Sequence, residues 1–246
     1  MSVHDDAGGH PDAAPAGSPV TAVVPLRDGH SGKSRLAATL GPRDRGLLVA
    51  ELARHVVTTL LAVAEVAQVV VVTEDPGFVS RTLGPAGPRL RVVTQPADRP
   101  GLNAAVDVGR EVAAAGPARR VLVVHADLPA LGAADVRALL ASPAPVVLAP
   151  DRRASGTNAV VLDAPAAGFR TRFGTDSFAA HRREADRLGL DVAVVTRPGT
   201  AVDLDVIDDW SVLAADVRER VARAVPVTAT LGGARGAHGA PGDGGG

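Results

Sequence analysis

Among 26 basic residues the chain keeps a single lysine, Lys33. It also keeps one isoleucine, Ile207, and two asparagines, Asn103 and Asn158, so residues with AT-rich codons have been nearly emptied out. Lysine is a compact point charge and arginine a planar fork. A lysine that persists against such a bias marks a position that needs lysine, with chance survival as the alternative. Its surroundings are Arg27-Asp28-Gly29-His30-Ser31-Gly32-Lys33-Ser34-Arg35-Leu36. Arg27, Lys33 and Arg35 bring three cations, and the loop brings free backbone N–H groups. Together these suit a polyphosphate, against the plainer reading of a solvated loop. Gly32-Lys33-Ser34 is not a P-loop, because that motif needs glycine where Arg27 stands. This disfavours a P-loop kinase.

Two acidic sites could supply the matching metal. Asp127, in Ala126-Asp127-Leu128-Pro129, follows an apolar run and so lies at the carboxyl edge of a sheet. A carboxylate there suits Mg²⁺, which prefers oxygen ligands. Helix capping is the alternative, but Pro129 and Gly132 push the next helix start later. Asp203 and Asp205 stand two apart in Val202-Asp203-Leu204-Asp205, so in an extended segment they face one side. Adjacent carboxylates repel unless a cation lies between them. Either could instead cap a following helix, as Asp208 or Asp209 could. Cations for phosphates and carboxylates for a bridging metal make one consistent set.

The second half offers an acceptor site. Ser155-Gly156-Thr157-Asn158 precedes a strand. Phe169-Arg170-Thr171-Arg172-Phe173-Gly174-Thr175-Asp176-Ser177-Phe178 leads into a helix. Gly174 permits close backbone approach and Ser177 sits near a helix N-terminus, an anion site that Arg170 and Arg172 would support. Ordinary capping by Asp176 explains the same residues equally well. Asn103 opens another helix, as a nucleotide contact or a simple cap. His125 ends an apolar strand, where a satisfied core or edge residue is the commoner outcome than a catalyst. No pair of histidines has zinc spacing.

These residues need a scaffold, and the hydrophobic pattern supplies one. Continuous apolar runs at Thr21–Leu26, Gln68–Thr73, Leu90–Thr94, Val121–His125, Val146–Ala149, Asn158–Leu162 and Val192–Thr196 predict strands covered on both faces. Pro42 marks a helix start, followed by a stripe at Leu48, Leu52, Val56, Leu60 and Val63. Further helices are predicted at Leu102–Ala115, Ala133–Ala141, Asp176–Leu188 and Ile207–Val225. The alternation predicts an α/β fold, a mostly parallel sheet with helices on both faces. Such sheets bind ligands beyond the carboxyl ends of their strands. One domain is expected over residues 19–227, with Gly/Ala/Pro-rich disordered tails at 1–18 and 228–246.

Composition narrows the classes. A net charge of −1 is not a nucleic-acid footprint. Absence of cysteine removes disulfides, thiol chemistry and Cys-based metal sites. No signal peptide and no apolar run approaching roughly 18 residues is visible, so a cytoplasmic protein with no membrane partner is expected.

In order and spacing, Lys33-Ser34-Arg35-Leu36-Ala37, Gly101-Leu102-Asn103, Ala126-Asp127-Leu128-Pro129, Gly156-Thr157, Arg172-Phe173-Gly174-x-Asp176-Ser177, Pro198-Gly199 and Asp203-x-Asp205 form one set. This set, over roughly Val20 to Leu213, resembles the phosphoenolpyruvate/2-phospholactate guanylyltransferase family of coenzyme F420 biosynthesis. The resemblance implies a Rossmann-like nucleotidyltransferase fold. It implies GTP as donor, Mg²⁺ as cofactor, a small phosphorylated three-carbon acid as acceptor and a downstream transferase of that pathway as a candidate partner. By position, Asp127, Asp203 and Asp205 inherit the metal. Thr157, Gly174 and Ser177 inherit the acceptor, and Lys33 and Arg35 the nucleotide phosphates. Lys33, Arg35 and Asp127 are the expected catalytic residues, with Arg27 and Asn103 as further nucleotide contacts. The chain departs from the family at Arg27, usually Lys, at Gly29, His30 and Gly32, usually Ala-rich, and at Val206-Ile207, usually Thr-Pro. A molybdopterin guanylyltransferase is the nearest rival, but its Leu-Ala-Gly-Gly loop is missing. A non-catalytic GTP-binding regulator is the rival of another class.

Overall fold

A computed structural model describes residues 19–27, 33–163, 166 and 168–232. The predicted tail at 1–18, the part of the predicted tail at 228–246 that lies beyond 232, and loop residues 28–32 lie outside the described residues. In chain order the elements are β1 (Val20–Pro25), α1 (Pro42–Leu61), β2 (Val66–Thr73), α2 (Pro76–Leu83), β3 (Leu90–Thr94), α3 (Leu102–Ala114), β4 (Arg120–Val124) and α4 (Ala133–Leu140). Then come β5 (Val146–Pro150), β6 (Thr157–Asp163), α5 (Ser177–Leu188), β7 (Val192–Val194), α6 (Pro198–Ala201), α7 (Ile207–Val212) and α8 (Ala215–Ala224). Short 3₁₀ turns cover Ser34–Leu36 and Pro226–Gly232.

The seven strands form one sheet in the order β3-β2-β1-β4-β6-β5-β7. Six run parallel, and β6 runs against both of its neighbours. The six residues between β5 and β6 explain the reversal. A parallel return needs a crossover of a dozen residues or more, and this link is a tight turn. Asp151 organises it by accepting from the backbone N–H groups of Arg153, Ser155 and Gly156 at 2.9–3.0 Å.

Period-two alternation divides the core. Ala22, Val24, Val69 and Val71 face α1, α2 and α4, while Val23, Val70 and Val72 face α3 and α5. Both faces are covered, as the unbroken apolar runs predict. Gly109 lets α3 lie close on the sheet, since an added Cβ would run into Val23. A third cluster joins Leu36, Leu40, Leu48, Leu52, Leu204, Trp210 and Leu231. It clamps the segment carrying Asp203 and Asp205 against α1.

Three details differ from the sequence pattern. The helix expected at Ile207–Val225 breaks at Leu213, which is extended at ψ 145° and buried in the third cluster. α2 is absent from the sequence expectation, for it is only eight residues long and fully buries only Val79. The fold also runs past the expected boundary at 227, because Thr228 and Leu231 are buried. No helix among the described residues is long and apolar enough to cross a membrane.

Candidate active site

A pocket of about 760 Å³ opens along the carboxyl edge of the sheet. At its centre stand Asp127, just past β4, and Asp203 and Asp205. Leu204 explains how the last two converge. Its side chain is buried in the third cluster, and its backbone N–H donates to the Asp127 carbonyl at 3.1 Å. The flanking aspartates therefore turn the other way, and one carboxylate oxygen from each of the three lies within 4.8 Å of the others.

Lys33 enters this group. Its ammonium is 2.5 Å from Asp127 Oδ2 and 2.7 Å from Asp205 Oδ1, with the side chain 6% exposed. Its backbone φ of 58° helps to aim it inward. Burial works to strip its proton, but Asp127 and Asp205 outweigh burial and hold its pKa above the ordinary lysine value. Asp127 is subject to the same opposition. Burial raises its pKa, Lys33 and His125 lower it, and the net direction is down. Asp203 has no lysine, so burial and the charges of Asp127 and Asp205 push its pKa up. The Asn158 amide donates to the Thr200 carbonyl at 2.9 Å and to Asp203 Oδ1 at 3.4 Å.

One ammonium does not balance three carboxylates, and Asp127 Oδ1 is buried with no hydrogen-bond partner. An all-oxygen set with one unused buried oxygen fits a hard divalent cation. These residues can therefore hold one.

On one side of this centre the pocket is lined by Leu26, Arg27, Glu74, Gln95 and Leu102. The Gln95 amide nitrogen donates to the carbonyls of Arg99 and Gly101 at 2.6 and 2.9 Å. Carbonyls only accept, so the amide orientation is fixed and Oε1 remains an acceptor. Arg27 and Arg35 are exposed, line the pocket and make no ion pair among the described residues. On the other side, Ser177 Oγ accepts from the Thr157 backbone N–H at 2.9 Å. Both residues are almost fully buried, at 2% and 1%, yet line the pocket. Gly174 lies beside them with φ 131°, a conformation that favours glycine.

Three expectations are corrected. Asn103 does not reach the pocket. Its amide donates to the Phe173 carbonyl at 3.0 Å and accepts from the Phe173 N–H at 2.8 Å, which ties α3 to the loop before α5. Arg170 and Arg172 line a different cavity, with Arg110 and Arg187, rather than the carboxylate pocket. Asp176 occupies the N-cap of α5 at φ 54° but makes no side-chain cap bond. His125 is also less settled than a core residue, for its Nε2 is buried without a partner and its ring lies 4.9 Å from Phe173.

His181 joins the site with no motif in the sequence to announce it. It is fully buried between Phe169 and Phe173, at 6.0 and 4.9 Å, and bonds to Thr157 Oγ1 and the Arg172 N–H. Only an apolar position at the α5 face, beside Phe178 and Ala185, hinted at its burial.

Known proteins resemble this chain in sequence and in fold. A family profile described as guanylyl transferase CofC like matches residues 20–220. A phosphoenolpyruvate guanylyltransferase of Rubrobacter xylanophilus is 41% identical over 201 residues, 80% of this chain and 94% of the relative. A 3-phospho-D-glycerate guanylyltransferase of Phenylobacterium zucineum is 35% identical over 193 residues, 76% of this chain and 86% of the relative. Among solved structures, a Methanothermobacter nucleotidyl transferase matches with a TM-score of 0.58 at 21% identity, covering 83% of this chain and 98% of its own. That likeness speaks for the fold alone. With the profile spanning the whole sheet and every element of the pocket, the chain belongs to the CofC-like guanylyl transferase family.

Proposed function

We infer that this chain transfers GMP from GTP to the phosphate of phosphoenolpyruvate and releases pyrophosphate. The observation that carries the reading is the meeting of Lys33, Asp127, Asp203 and Asp205 in one pocket, with a polar acceptor end on one side and a nucleotide arm on the other. The names of the relatives support guanylyl transfer to a small phosphorylated acid.

In the reaction an oxygen of the acceptor phosphate forms a bond to the α-phosphorus of GTP. The bond from that phosphorus to the bridging β-oxygen breaks, and pyrophosphate departs with the electron pair. No general base is needed, because a phosphate monoester with a second pKa of about 6 is already mostly dianionic at neutral pH. This agrees with a pocket that holds cations and carboxylates but, among the described residues, no nucleophilic triad. Asp127, Asp203 and Asp205 would hold Mg²⁺, which neutralises phosphate charge when bound. Arg27 and Arg35, without ion pairs among the described residues, would face the triphosphate. Lys33, now on Asp127 and Asp205, is the cation available to the departing pyrophosphate.

Guanine suits the remaining arm. It offers N–H donors at N1 and N2, where adenine offers a bare N1. The Glu74 carboxylate and Gln95 Oε1 are acceptors just past the ends of β2 and β3, whose last residues Thr73 and Thr94 pair in register. The test is pyrophosphate release with four nucleoside triphosphates crossed against phosphoenolpyruvate, 2-phospholactate and 3-phosphoglycerate. Release with GTP and phosphoenolpyruvate is expected. Silence with GTP and all three acids would end the reading.

A further inference from the structure

Hydrogen-bond donors fix the protonation of His181. The backbone N–H of Arg172 lies 2.8 Å from His181 Nε2. A backbone N–H can only donate, so Nε2 carries no proton. The neutral ring must then be protonated on Nδ1, which lies 3.0 Å from Thr157 Oγ1. That N–H donates to the threonine oxygen. A charged ring would set Nε2–H against the Arg172 N–H, and full burial between Phe169 and Phe173 opposes the charge as well.

The chain of donors continues into the pocket. Thr157 Oγ1 accepts from His181, so its own proton must point elsewhere. Ser177 Oγ accepts from the Thr157 N–H at 2.9 Å, so its proton is free in the same way. Neither hydroxyl proton finds an acceptor among the described residues, although both side chains are nearly buried and line the pocket. Two pre-aimed donors with no acceptor of their own call for anionic oxygen from a ligand.

We propose that His181 is a positioning residue that turns the Thr157 hydroxyl proton into the acceptor end of the pocket, where together with the Ser177 hydroxyl it meets the carboxylate of the acceptor acid. The phosphate of that acid must reach the α-phosphorus near the aspartates, which leaves the carboxylate for the hydroxyl end. The proposal rests on the acceptor reading above. It assigns His181 no contact with substrate and no proton transfer. The ring acts by occupying one lone pair of Thr157 Oγ1 and turning the hydroxyl proton toward the ligand, which favours an anionic oxygen there over a neutral hydroxyl.

The test separates the two bonds of the ring. In His181→Asn the side-chain amide can still donate to Thr157 from the Nδ1 position. In His181→Gln the carbonyl can still accept from Arg172, but the donor to Thr157 is lost. The Michaelis constant for phosphoenolpyruvate is expected to rise about tenfold in His181→Gln, the loss of one well-placed hydrogen bond, and to recover most of the way in His181→Asn. The constant for GTP is expected to stay near the wild-type value in both. A long-range ¹⁵N–¹H spectrum of the full chain with labelled histidine, assigned through the variants, is expected to show His181 protonated on Nδ1 alone. Equal acceptor constants in the two variants, or a parallel rise for GTP, would overturn the proposal. So would an Nε2-protonated or doubly protonated ring. If the wild type turned over none of the three acids, the substrate reading would fall, while the spectrum would still decide the donor polarity of the hydroxyl pair.

Discussion

The two ends of the pocket are built on opposite principles. The aspartate centre is held by charge. Lys33 bridges Asp127 and Asp205, Asp203 is left with a raised pKa, and Asp127 Oδ1 is unpaired. The hydroxyl end is held by neutral hydrogen bonds among His181, Thr157 and Ser177, with His181 packed between two aromatic rings. Adjacent residues of β6 serve the two ends: Thr157 bonds toward α5 and Asn158 toward Asp203. Successive strand residues point to opposite faces, so one strand divides the labour. Charge that is incompletely balanced is ready to accept a further cation and a polyphosphate. A neutral, buried network keeps its geometry while that charge changes.

The largest effect should follow from breaking the charged end. Asp127→Ala and Asp203→Ala each remove a carboxylate that no neighbour replaces. Pyrophosphate release with GTP is expected to fall by about 10³-fold or more in each, with circular dichroism unchanged. Near-normal turnover in both folded variants would sink the metal assignment.

Asn158→Ala comes next. Loss of an outer partner of a metal-holding carboxylate costs about 10- to 100-fold in metal affinity or activity. The Mg²⁺ concentration for half-maximal turnover should rise by that range, with the phosphoenolpyruvate constant little changed. A rise confined to phosphoenolpyruvate would mean that β6 does not divide the ends as described.

Much of the charged end was legible in the sequence, and little of the neutral end was. Asp203-Leu204-Asp205 shows its geometry through period two, and Asp127 shows its place by following an apolar strand. The strands were legible too, since most carry a short Val-rich apolar run. Direction was not: the run of β6 reads the same either way, and only the short link at Asp151 carries the reversal. The break at Leu213 has no glycine or proline to announce it and arises from burial in the third cluster. Asn103 and His181 depend on partners far along the chain. Asn103 is spent on Phe173, 70 residues away. His181 lies in a polar stretch, Ala180-His181-Arg182-Arg183, and bonds to a strand 24 residues before it.

Lys33 tests whether the resident ammonium and an added cation compete for the same carboxylates. Lys33→Ala should bind Mn²⁺ about tenfold more tightly than the wild type in the absence of nucleotide, from removal of one close charge, and yet turn over more slowly. Calorimetry measures the first and pyrophosphate release the second. Lys33→Arg keeps the charge but not the compact shape. Unchanged kinetics in that variant would show that charge alone matters there. Unchanged Mn²⁺ affinity in Lys33→Ala would show that Lys33 and the metal occupy separate places.

The smallest effect should appear in stability rather than turnover. Burial lowers the pKa of His181 to about 4, with His125 contributing. Burial and then Arg220 lower that of His55 to about 4 as well. Below an unfolded pKa of about 6.5 the unfolded chain takes up protons that the folded chain refuses, so stability is full above that value and falls as pH drops toward 4. One unit below, at pH 5.5, the loss is about 1.4 kcal/mol for fully buried His181 and somewhat less for half-buried His55. Melting followed from pH 7.5 to 5.5 should therefore shift down by several degrees, at about 2–4 °C per kcal/mol for a chain of this size. His55→Gln should remove part of the shift and leave the acceptor constant alone, because His55 lies far from the hydroxyl pair, against the Leu131 backbone. If instead the acceptor constant climbed with falling pH before any melting, the hydroxyl end would not be insulated from charge, and the contrast between the two ends of the pocket would fail.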